Sequence, residues 1–113
     1  FGEDHIELAR TLRCKGMALL ATDASCEARA VLEKALDIFQ RHLGKEHLQV
    51  AKTLRHLALA NPPGSLERAR AAQRAISILE REVGADHPWT REVEALRESR
   101  IKRARQSSED LAP

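Results

Sequence analysis

Apolar residues return every three or four positions along most of the chain. Ala9, Leu12, Gly16 and Leu19 form one such run, and Ala28, Leu32, Ala35 and Phe39 form the next. Val50, Ala51, Leu54 and Ala58 follow, then Leu66, Ala69, Ala72, Ile76, Leu79 and Val83. A narrower stripe of Trp89, Val93 and Leu96 comes last. That spacing is one face of a helix, so the pattern predicts five helices and no sheet. Turns are expected at 22–25, 43–46, 61–65 and 84–87, each with a physical stop signal. Gly44 suits a backbone that leaves a helix through positive φ. Pro62 and Pro63 lack amide donors and disfavour helix in the residue before them. Asp23 or Ser25 is placed to cap the second helix. Pro88 fits a first helical turn, with Asp86 or His87 as its cap.

The pattern is also copied. GEDHIELARTL at 2–12 returns as GKEHLQVAKTL at 44–54, 42 positions on, and a weaker copy, GADHPWTREVE, begins at Gly84. The stretch ALDIFQRHLG at 35–44 matches AISILEREVG at 75–84 with an offset of 40, so two residues are missing between, around the Pro-Pro turn. A helical hairpin cannot bury its apolar stripe alone, and copies that stack can. The expected organisation is one helical repeat domain over 1–105. It comprises repeat one at 2–43, repeat two at 44–83 and a capping helix at 87–105, with a flexible tail at 106–113. A last helix with one apolar edge and a polar outer face closes such a stack.

Composition narrows the function. Charged residues make up 32% of the 113, but 19 Lys and Arg against 17 Asp and Glu leave only +2, which argues against nucleic acid as a partner. No apolar run reaches the ~20 residues of a membrane span. No signal peptide is expected, and without Met at position 1 the chain is expected to be an excised or processed piece. Two cysteines are too few for a disulfide framework. Cys14 and Cys26 are expected as small, partly buried helix residues in a reducing, cytoplasmic setting.

No catalytic, cofactor or metal site emerges. His5, His47 and His87 stand one repeat apart, so they cannot share an ion. Their expected role is to close the turns between units by ring hydrogen bonds to backbone. The Gly-Lys of LGKEH lacks the earlier glycine of a phosphate loop, because Phe39 stands there. Cys14 and His56 occupy matching positions on successive first helices, where exposed or half-buried side chains are expected, and no third group orients them. The basic run RESRIKRARQ at 97–106 reads as a solvated face of the capping helix, with glutamates beside it and no aromatics for base stacking.

With the hairpins placed, the chain resembles tetratricopeptide repeats of the kinesin light chain type. Gly2, His5, Ala9, Thr11, Leu12, Glu27, Ala28, Ala35, Leu36 and Ile38 carry the likeness in the first unit. Gly44, His47, Val50, Ala51, Thr53, Leu54, Leu57, Ala58, Ala75, Ile76 and Ile78 carry it in the second. The chain departs from the pattern at Lys15, Asp23 and Ser25, and at Arg91 and Glu94 in the third unit. The resemblance implies an all-α, right-handed α-solenoid of two stacked hairpins and a cap. It also implies a non-catalytic adaptor or scaffold that holds a protein or peptide segment in a concave groove. Groove positions carried over by the resemblance are Arg10, Arg13 and Met17 in the first unit and Lys52, Arg55 and Leu59 in the second. Four cations there favour an acidic partner, and Met17 and Leu59 would offer pockets for an apolar anchor. Two alternatives stand beside this reading. One is self-association as a homodimer through a first helix that exposes Leu8, Ala9 and Leu12. The other is a regulatory module of a larger enzyme.

Overall fold

The computed structural model describes residues 2–97, with side chains from His5 onward. Four helices follow one another: α1 (Gly2–Ala21), α2 (Ser25–Leu43), α3 (Leu48–Ala60) and α4 (Leu66–Glu82). A fifth, α5, begins at 88 and continues to the last described residue, 97. Among the described residues there is no strand, and the four turns lie where the breaks in periodicity place them. The fold class is all-α.

Each helix stops for a local reason. Gly44 and Gly84 take φ of 93° and 98°, which a residue with a Cβ adopts only under strain. At the α1–α2 turn the same demand falls on Asp23, at φ 61°. This turn is tighter than expected, and it overturns the expected cap. The N-cap of α2 is Ala24, no side chain caps it, and Ser25 already lies inside the helix. In the second unit the matching serine does cap: Ser65 Oγ accepts from the Arg68 amide at 3.2 Å. The Pro-Pro pair ends α3 at Ala60, and α3 also starts later in the repeat than α1, so it has 13 residues where α1 has 20.

Apolar stripes meet in one continuous core. Ala9, Ala28, Leu32, Ala35 and Phe39 from the first hairpin join Val50, Ala51, Leu54 and Ala58 from α3. Ala72, Ala75, Ile76, Ile78 and Leu79 complete it from α4, and Val93 from α5. Phe39 and Leu32 have no exposed surface, and burying a side chain of this kind stabilises by about 2–3 kcal/mol. The expected α4 stripe shifts at its start, because Leu66 is exposed and Ala69 half-buried. Helix α1 packs on α2, α3 on α4, and α2 on α3, while α1 also reaches α3. Helices α1 and α4 make no such contact. α5 is held to the second hairpin by its half-buried Trp89 and Leu96 and by Arg97, which donates to Gln73 Oε1 at 2.8 Å.

The crossing of α1 and α2 is close at Gly16. A Cβ there would lie 2.5 Å from Leu32 Cγ, closer than any real contact. Among the described residues no helix is long and apolar enough to cross a membrane.

Candidate functional site

The contact between α1 and α3 brings the first helix of each hairpin side by side. Arg13 projects from α1, and Lys52, Arg55 and His56 project from α3. Together with Ala51, Leu79 and Trp89 they line a cavity of about 160 Å³. Trp89 enters from α5 because His87 starts that helix: its Nδ1 accepts from the Trp89 amide at 3.1 Å. Thr90 anchors the same turn by donating to the Gly84 carbonyl at 2.8 Å. His47 opens α3 in the same way, accepting from the Gln49 amide at 3.1 Å. Two of the three repeated histidines therefore close turns through their rings, as the spacing predicts. His5 does not, since α1 already runs from Gly2, and its ring lies 4.7 Å from that of His42.

Each cation in the cavity has a different neighbour. The Arg13 guanidinium lies 5.1 Å from the centre of the Phe39 ring and donates to Gln49 Oε1 at 2.6 Å. Its partner is thus a neutral amide, not a carboxylate. Burial holds Arg13 below its ordinary pKa, Arg10 and Arg55 add to that push, and Cys14 opposes it. Lys52 Nζ lies 4.7 Å from the centre of the Trp89 ring. Such a contact is worth about 0.5–1 kcal/mol where solvent reaches it. Arg55 Nη1 donates to Glu92 at 2.8 Å, while its Nε is buried without a hydrogen-bond acceptor. Behind these groups His56 is buried, and its pKa is pushed down to about 4, by burial first and then by Arg55 and Arg13. It is neutral at physiological pH.

Of the six groove residues named from the sequence, the structure brings together Arg13, Lys52 and Arg55. Arg10 is outside the cavity lining, and its guanidinium turns along its own helix to Glu7 at 3.2 Å. Met17 and Leu59 are 44% and 40% exposed and also lie outside the lining. They present open apolar surface one turn beyond Arg13 and Arg55, not pockets. Three contributors were missed: His56, Trp89 and Glu92. The copied phrase carried a signal for Trp89, because it follows the capping histidine as Leu48 and Gln49 follow His47. His56 was expected exposed or half-buried, and it is buried. Cys14 and Cys26 are both free and exposed, which corrects their expected partial burial.

Among the described residues no three His, Cys, Asp or Glu side chains are grouped to hold a metal ion. Most of the basic run at 97–106 lies outside the described residues, as do the end of the expected capping helix and the tail at 106–113. What the geometry defines is an all-α protein with a cationic, aromatic-walled cavity where four helices meet. No protein-family model matches the chain, and none of the curated proteins matches it.

Proposed function

We propose that the chain is a non-catalytic protein–protein interaction module, a short tetratricopeptide-type solenoid that holds an acidic partner segment. Stacking is supported by the order of contacts: α1 on α2, α2 on α3, α3 on α4, with α1 and α4 apart. In a solenoid each unit touches only its neighbours. The observation that carries the binding reading is the cavity where Arg13, Lys52 and Arg55 meet beside Trp89. Cations gathered there attract carboxylates, and the arginines can pair with them in bidentate fashion. Exposed Met17 and Leu59 extend the surface with apolar area for one bulky side chain. Acidic peptides with one large apolar residue should therefore bind better than neutral or basic ones. Affinity should fall with salt, because exposed charges are screened over about 8 Å at physiological ionic strength. Reversing both Arg13→Glu and Arg55→Glu should remove the preference, with helicity by circular dichroism unchanged. If the double variant binds acidic peptides as well as the parent does, the groove assignment is wrong.

A second reading, self-association, is favoured by one comparison between the repeats. Val50, Thr53 and Ala60 are buried in α3, yet Leu8, Thr11 and Ala18 at the matching positions of α1 are exposed. The expectation for this face needs correcting in detail. Ala9 is fully buried and Leu12 half-buried, so both turn toward the core, and Leu8 is its large apolar residue.

A further inference from the structure

We infer that the cavity between α1, α3, α4 and α5 receives a dianionic phosphoryl group carried by the partner segment, so that the module reads a phosphorylated residue. This rests on the peptide-groove reading above and specifies the chemistry it recognises. The lining holds three cations, Arg13, Lys52 and Arg55, and no carboxylate. One acid stands nearby, Glu92 on the Arg55 Nη1. His56 is neutral, so the charge left to satisfy is two positive. A carboxylate would cancel half of it. A phosphate monoester carries nearly two negative charges at neutral pH and three strong acceptor oxygens.

Donor geometry agrees with the charge. Among the described residues no carboxylate pairs with Arg13 or Lys52. Arg13 rests on an amide oxygen and Lys52 on a ring face, both weaker partners than an anion. The Arg55 Nε–H is buried with no acceptor, a state that costs free energy until something accepts from it. These donors arrive from two helices, α1 and α3. The three acceptor oxygens of a phosphoryl group offer them more partners than the two of a carboxylate. Holding like charges in one part-buried place is otherwise unfavourable, and a bound dianion removes that cost. The phosphoryl is assigned to a partner segment because Met17 and Leu59 continue the same helix faces one turn away and remain exposed.

The test uses the whole chain and three pools of ten-residue peptides, with phosphoserine, glutamate or serine fixed at the centre. Inorganic phosphate is titrated as a fourth arm. Binding is followed by calorimetry and by emission of Trp89, the single tryptophan. The phosphoserine pool should bind about tenfold tighter than the glutamate pool and also more tightly than inorganic phosphate. Inorganic phosphate should change Trp89 emission and compete with the peptides. Arg13→Gln and Lys52→Met should each erase the difference between phosphoserine and glutamate while helicity stays as in the parent. In the bound state the His56 ring should titrate at higher pH by NMR while helicity and chemical-shift dispersion stay those of the folded chain, which separates the response from unfolding, since unfolding also raises it. If the glutamate pool binds as well as the phosphoserine pool, the phosphoryl assignment fails while the acidic-groove reading stands. If no pool binds, both fail. If free phosphate binds as tightly as the phosphoserine pool, the site is for the free anion and the partner-borne assignment is overturned.

Discussion

His56 and Cys14 occupy the same position in successive repeats and meet opposite environments. Cys14 is exposed on α1, while His56 is 8% exposed, set behind Arg13 and Arg55. Burial and two neighbouring guanidinium groups disfavour a second charge, so the ring stays neutral down to about pH 4. In the unfolded chain a histidine takes up its proton near pH 6.5. Between these values the unfolded state binds more protons, so folding stability rises with pH across that window. The contribution is complete above about pH 6.5 and is lost as pH falls toward 4, on the order of 2 kcal/mol once solvent at the cavity mouth is allowed for. Urea unfolding from pH 7 to 4.5 should therefore show a steeper loss of stability in the parent than in His56→Gln. Parallel slopes in the two proteins would mean that His56 is not the group responsible.

Between elements, the closest approach is that of α1 and α2 at Gly16. Ala58 is the matching residue in α3, so the fold tolerates a methyl group in one hairpin and leaves no room for it in the other. Two effects compete in Gly16→Ala. Helix propensity favours alanine by about 1 kcal/mol. Against it, a new Cβ would press on Leu32, which is fully buried and cannot swing away, and overpacking of this kind costs about 1–3 kcal/mol. The clash should win, with a net loss of about 1 kcal/mol and a lower urea midpoint at unchanged m-value. Adding Leu32→Val should recover part of that loss, because the two changes share one contact and will not be additive. A Gly16→Ala protein more stable than the parent would show that the helices separate at little cost.

At the scale of the whole molecule, the exposed outer face of α1 is the surface on which the proposed self-association would act. Leu8 is 49% exposed where Val50, its counterpart in α3, is fully buried. Lys15 interrupts this face where α3 has the buried Leu57, which weakens the apolar surface without removing it. If a second copy covers it, sedimentation should report dimer at micromolar protein, and Leu8→Glu should shift the population to monomer. Because Leu8 is exposed, the substitution should leave helicity intact. A protein that stays monomeric up to high concentration would exclude this face as a self-association surface.

Much of the fold was legible from local chemistry. Periodicity placed the helices, and glycine and the Pro-Pro pair placed the turns. The copied phrase placed His47 and His87 at helix starts, because a ring nitrogen two residues before an amide closes a turn within a few atoms of chain. The α2 cap was misread for a related reason: Asp23 accepts a positive φ, the turn tightens, and Ser25 is drawn into the helix. The site was legible only in part. Equal register marked Arg10, Arg13, Lys52 and Arg55 as equivalent, but register says nothing of what lies across from each side chain. Helix crossings decided that Arg10 returns to Glu7, that Arg13 lies over Phe39, and that Lys52 and Arg55 meet Trp89 and Glu92 from α5. These contacts join residues more than 25 positions apart, apart from the local Arg10–Glu7 pair, and no period of three or four reaches that far. Sequence alone determined what each helix is and where it stops, because those forces act within a turn or two of backbone. Which cations share a cavity, and which ring is buried beside them, depended on how four helices pack together.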